Sequence, residues 1–242
     1  MAEETPPIVE LAEWFQTPPG QYVLAWEQAQ FDEAVADIFG YYAWQVGLAE
    51  PNLLRANRMP FKAWVGAGVP PPELAQGWQA CVAAAPEALP FESQSVDLLV
   101  LREVERVLVP EGRVVISGFN PWSLWGARNL MPGMEAWLPL PLSAQVALPR
   151  LKDWFKLLSF EVERGRFGCY APACRTDKWL RRWRFMERYG QRWWGLGGAV
   201  YVVTATKKVA AMRLIGPAWK TRRKRAQAAS VVVNRQADDP GR

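Results

Sequence analysis

Two apolar runs of strand length, separated by a single amphipathic stretch, constrain this chain more than any other feature. Residues 85–121 read APEALPFESQSVDLLVLREVERVLVPEGRVVISGFNP. Residues 95–101, SVDLLVL, are almost uninterrupted apolar sequence with Asp97 as the one charge. In residues 102–108, Val104, Val107 and Leu108 fall at i, i+3 and i+4, which is one face of a helix beginning at Arg102. Pro110-Glu111-Gly112 ends that helix, because proline cannot continue it and glycine accepts the exit dihedrals. Residues 113–117, RVVIS, then supply a second buried strand. Two such strands joined through one helix predict a parallel, right-handed βαβ unit.

The same residues carry a family resemblance. LPFESQSVDLLVL resembles the segment around the fourth strand of class I S-adenosylmethionine (SAM)-dependent methyltransferases, the type 11 branch in particular. LREVERVLVPEGRVVIS resembles the helix, turn and fifth strand that follow it there. The likeness is strong over residues 85–120 and traceable from Tyr42 to Lys208. It implies an α/β fold: a Rossmann-like, seven-stranded, mostly parallel sheet with helices on both faces. The expected organisation is an N-terminal helical cap over residues 1–40, a methyltransferase-like domain over 41–208, and a basic, disordered tail over 209–242.

Composition narrows the chemistry. The chain of 242 residues has no histidine, which removes Ser-His-Asp and Cys-His hydrolase mechanisms and most zinc chemistry. Cys81, Cys169 and Cys174 are an odd number with no paired framework, as in a reducing compartment, and no metal site is expected. No apolar run reaches membrane-spanning length, and the N-terminus lacks the pattern of a signal peptide, so the expectation is a cytoplasmic protein. Charge is unevenly spread. Residues 1–149 carry 7 Lys/Arg against 17 Asp/Glu, and residues 150–242 carry 22 against 7. That gradient points to an anionic partner for the C-terminal half.

Taken in order, residues 6–40 are a helical preface: a short helix closed by Thr17-Pro18-Pro19-Gly20 has Leu11, Trp14 and Phe15 on one face, and a second helix over residues 21–39 places Tyr22, Trp26, Ala29 and Val35 on an apolar stripe. Residues 41–48, YYAWQVGL, resemble the first strand and its turn. The family's Gly-x-Gly-x-Gly loop is reduced here to Gly47, the candidate cofactor contact at the methionine end. Gly66-Ala67-Gly68 is a second glycine pair, read as a turn, and Arg55-Ala56-Asn57-Arg58 falls on or after a first crossover helix. Residues 78–84 form the third strand. The resemblance then places Glu87, Ala88 and Leu89 around the adenine, with Ala85 where the family often has an aspartate. The family's extra helix after the fourth strand is missing, since the strand pattern meets the helix pattern between Leu101 and Arg102.

Asn120 and Arg128 follow the fifth strand, outside its carboxyl end, and are the candidate substrate contacts with Trp122 or Trp125 as an apolar wall. An Asn-Pro turn anchored by tryptophan reads equally well there. Residues 148–158 form an amphipathic helix, residues 159–164 a sixth strand, and residues 199–207 a final antiparallel strand. Residues 170–190 form a basic aromatic helix, either a solvated surface or a contact for nucleic acid or an anionic membrane. The run from Lys220 to Arg225 is a candidate nucleic-acid contact through phosphates.

The resemblance implies methyl transfer from SAM to an acceptor, a reaction that needs alignment and a desolvated cleft more than a strong acid or base. The alternative is a catalytically inactive, methyltransferase-like binding protein, in contact with nucleic acid through its basic C-terminal half.

Overall fold

The computed structural model describes residues 7–66, 68, 70–84, 95–102, 112–131, 137–138, 140 and 145–207. Helix α1 (Pro7–Phe15) leads directly into α2 (Pro18–Ala36), whose N-cap is Thr17; its side chain accepts from the Gly20 amide. Strands β1 (Tyr42–Val46) and β2 (Phe61–Gly66) follow, then a single turn of helix, α3 (Pro72–Ala75), and β3 (Ala80–Ala83). After β4 (Leu98–Arg102) and β5 (Arg113–Phe119) come α4 (Leu124–Asn129), α5 (Leu148–Leu157) and β6 (Phe160–Gly168). The described chain closes with α6 (Asp177–Arg182), α7 (Phe185–Trp193) and β7 (Val200–Lys207).

The seven strands form one sheet in the order β3-β2-β1-β4-β5-β7-β6. Every pair is parallel except the two made by β7, which runs against its neighbours β5 and β6. The β4–β5 pairing, Leu98 opposite Arg113 through Arg102 opposite Ser117, is the parallel unit read from the sequence. All five β4 residues are buried, including Arg102, so the strand is regular to its last residue. Arg102 therefore ends a strand instead of starting a helix, and the remainder of that predicted helix lies outside the described residues. Asp97, the charge in the apolar run, sits just before β4. Its Oδ2 accepts from the amides of Tyr41 (2.7 Å) and Tyr42 (3.0 Å), pinning the start of β1.

Helices pack on both faces. On one side Leu151 and Phe155 of α5 meet Leu99, Leu101, Val114 and Ile116. On the other, Phe31 and Val35 of α2 meet Ala43, Leu98 and Val100, joined by Leu53, Leu54 and Met59. No helix stands between β1 and β2, contrary to the sequence reading: residues 47–60 form turns and loop. The face that a crossover helix would cover is filled by α2 from upstream. Arg55 accordingly pairs with Asp32 of α2, and buried Asn57 donates to Val35 O (2.8 Å) in the last turn of that helix and to Ile38 O (3.0 Å) just past its end.

The buried stripe of α2 is Val23, Glu27, Phe31 and Val35, rotated from the predicted one; Ala29 is exposed, and Tyr22 and Trp26 are half-buried. The basic aromatic segment also differs. Its helix starts at Asp177 and breaks at Trp183-Arg184 into α6 and α7.

Candidate functional site

The strand order reverses between β1 and β4, because the chain moves outward to β3 on one side and to β5 on the other. Open α/β sheets bind ligands in the crevice at such a reversal, outside the carboxyl ends of the strands. Here the two sides of the crevice are Gly47, following β1, and Arg102, ending β4.

Gly47 has φ of +106°, a conformation that side chains resist, and a Cβ there would lie 3.3 Å from the Arg102 carbonyl oxygen. Its own carbonyl accepts from the Trp64 indole (3.0 Å). The turn beyond it is built on Gln45, which is 1% exposed. The Gln45 amide donates to Leu48 O (2.8 Å) and Pro51 O (3.0 Å), and its oxygen accepts from the Leu53 amide (2.8 Å). A glutamine in a strand carries no sequence signal for this role, since its partners lie in a loop without periodicity.

Arg102 is fully buried. One terminal nitrogen, Nη2, meets Glu27 Oε2 of α2 at 2.5 Å, and both side chains are 1% exposed. The guanidinium also lies 3.9 Å from the centre of the Phe15 ring, so α1 roofs it. The other two nitrogens, Nε and Nη1, have no hydrogen-bond partner among the described residues. Neither does the buried hydroxyl of Ser117, the register partner of Arg102 on β5. Register partners in a parallel ladder point to the same face. Three buried polar atoms on that one face thus lack a partner among the described residues, although buried polar groups are nearly always bonded.

Beyond β5, Asn120 is 3% exposed and fully engaged. Its amide donates to Leu196 O (2.8 Å) and Gly198 O (3.0 Å), and its oxygen accepts from the Trp122 amide (3.1 Å). Ser123 caps α4 by accepting from the Gly126 amide (3.1 Å). Trp125 is completely buried and donates to Ala171 O (2.8 Å), while Trp122 is exposed. Arg128 donates to Ala173 O (2.9 Å) and lies 4.4 Å above the Trp137 ring. The fold therefore brings Gly47 and Arg102 together, sets Asn120 on the same edge one strand further on, and turns Arg128 toward residues 171–173. Glu87, Ala88, Leu89 and the run Lys220 to Arg225 lie outside the described residues.

A second buried polar group sits where α2 meets the end of β6. The Tyr22 hydroxyl donates to Glu187, whose Oε1 also accepts from the Tyr170 amide (2.8 Å). Burial raises the Cys169 thiol well above its ordinary value, and the Glu187 and Glu27 carboxylates add to the rise. Burial likewise raises Tyr22, helped by Cys169 and Glu187, and pushes Tyr170 up to about 12.

No protein-family model matches the chain. An uncharacterised Escherichia coli K12 protein, YafS, is 41% identical over 102 residues, which is 36% of this chain and 42% of that protein, so the match spans under half of its relative. Among solved structures, a SAM-dependent methyltransferase of Thermotoga maritima aligns over 83% of this chain and 96% of its own, with TM-score 0.54 and 14% identity. A chain from the Haloferax volcanii complex of the Trm112 methyltransferase activator with a methyltransferase aligns over the same shares, with TM-score 0.51 and 15% identity. With this sheet order and these likenesses, the chain carries the class I SAM-dependent methyltransferase fold.

Proposed function

We propose that the protein transfers a methyl group from SAM, with the crevice between Gly47 and Arg102 receiving the methionine end of the cofactor. The observation that carries this reading is the unpaired polar set at the reversal point: Arg102 Nε and Nη1 with Ser117 Oγ. A guanidinium with free N–H groups is suited to a carboxylate, and a glycine at positive φ leaves the backbone open to close approach. These residues fit the amino-acid end of SAM. The adenine end would fall to Glu87, Ala88 and Leu89, as the resemblance implies.

SAM supplies an electrophilic sulfonium methyl group, and the transfer needs in-line alignment more than proton movement. The chain's part is to orient and to exclude water. Arg102 holds a carboxylate while Glu27 fixes the guanidinium, and Phe15 of α1 closes the crevice above it. Asn120 shapes the turn that would face the acceptor, and Arg128 stands at the far end of α4 as an orienting cation.

Titration calorimetry of the full chain with SAM and with S-adenosylhomocysteine tests this. Micromolar binding of both is expected, and a folded protein that binds neither overturns the proposal. A second reading, a binding protein on a methyltransferase fold, is favoured by the turn after β1. That turn leads to no helix, and Trp64 is bonded to the Gly47 carbonyl. Absence of cofactor binding is the result that supports it.

A further inference from the structure

Helix α7 faces inward on Glu187 and Gly190. Glu187 is held by Tyr22 and the Tyr170 amide, and Gly190 lies so close to the Tyr170 ring that a Cβ would not fit. Its outer side carries two parallel stripes. Phe185, Tyr189 and Trp193 recur every four residues, and they are 52%, 60% and 80% exposed. One residue before each stands Arg184, Arg188 or Arg192, exposed and without an ion pair to any described residue. At 100° per residue the two stripes lie side by side, one cationic and one aromatic.

The apolar stripe continues past the helix. Trp194 and Leu196 are exposed, and the Asn120 bonds to Leu196 and Gly198 bring the turn bearing Trp122 against them. Contiguous exposed apolar surface of this kind marks an interaction site. The unpaired arginines call for an anionic partner. Nucleic acid would use the rings as stacking platforms along a groove, whereas these rings project from a convex helix beside an aliphatic leucine. An interfacial helix needs this arrangement: apolar side chains entering the boundary between headgroups and acyl chains, with cations alongside at the phosphates.

We propose that α7 and the turn at residues 194–196 seat the protein on an anionic lipid surface. Phe185, Tyr189 and Trp193 insert, and Arg184, Arg188 and Arg192 pair with headgroup phosphates. This surface is separate from the Gly47–Arg102 crevice and stands whether or not SAM binds.

The test is flotation of the full chain with vesicles of phosphatidylcholine alone and of phosphatidylcholine and phosphatidylglycerol in equal parts. Binding to the mixed vesicles is expected, weakened on the order of a hundredfold in the triple variant Arg184→Gln, Arg188→Gln, Arg192→Gln. The variant Tyr189→Ser, Trp193→Ser, which changes only exposed rings, should lose the part of binding that survives high salt. Three results overturn the proposal. One is no vesicle binding; another is binding unchanged in both variants, which would assign it to residues 220–225. The third is capture of a single-stranded oligonucleotide through the same arginines while vesicles are ignored.

Discussion

Glu27 of α2 and Arg102 of β4 meet at 2.5 Å with both side chains 1% exposed, joining an N-terminal helix to the end of a central strand 75 residues away. Removing one partner leaves the other as a lone buried charge. Glu27→Ala or Arg102→Ala should therefore lower stability by about 3–5 kcal/mol, read from urea unfolding midpoints. Replacing both together with leucine should recover most of that loss, because the desolvation cost of both ions goes with them. A double-variant loss equal to the sum of the two single losses would show that the pair does not act as a unit.

Asp97 makes a smaller prediction of the same kind. Its Oδ2 accepts from two consecutive, solvent-accessible backbone amides, Tyr41 and Tyr42. Asp97→Ala should cost about 0.5–1.5 kcal/mol, because water takes over both amides once the carboxylate is gone. Asp97→Asn keeps an acceptor oxygen, so its loss in thermal unfolding should be the smaller of the two.

Most of the sheet was legible in the sequence because its strands are near-continuous apolar runs, such as LLVLR and VVISGF, bounded by turns. The resemblance then supplied their number and their mostly parallel sense. What could not be read is the set of contacts that crosses the fold. Glu27 looks like a solvated position until Arg102 is known to lie beside it, so the predicted stripe of α2 was rotated toward Tyr22 and Trp26. Arg102 looks like a helix start, because a charged residue after LLVL ends the apolar pattern while its partner is distant. The break between α6 and α7 has no proline or glycine to announce it. Of the candidate site, Gly47 carries the one local signal, its glycine after an apolar strand. Gln45 and Ser117 carry no local signal at all.

Two glycines offer a contrast at the candidate site. Gly47 combines positive φ with a Cβ position 3.3 Å from the Arg102 carbonyl, whereas a Cβ on Gly68 would meet no described residue within 4 Å. Gly47→Ala should cost about 1–3 kcal/mol and weaken SAM binding in calorimetry. Gly68→Ala should leave both unchanged. A Gly47→Ala protein that is destabilised yet binds SAM as before would remove Gly47 from the cofactor site and keep it as a structural turn.

Cys169, Tyr22 and Tyr170 all hold their protons more firmly in the folded chain than in the unfolded one, chiefly through burial and then through the Glu187 carboxylate and each other. For groups of this kind the folded state binds more protons above the unfolded value, so stability falls as pH rises. The contribution is complete below the unfolded thiol value of about 8.5, begins to fall there, and falls further as the phenols pass about 10. Tyr170 stops contributing to the slope at about 12, its folded value. Urea midpoints should therefore drop steadily from pH 8.5 to 11, and Cys169→Ala should flatten the first part of that fall. Thiol counting gives an independent check. At pH 8 the native chain should yield Cys81 and Cys174, which are partly exposed, to a soluble disulfide reagent. Cys169, 1% exposed, should appear only after unfolding. Rapid reaction of all three thiols in the native protein would mean that the Tyr22–Glu187–Cys169 cluster opens readily in solution.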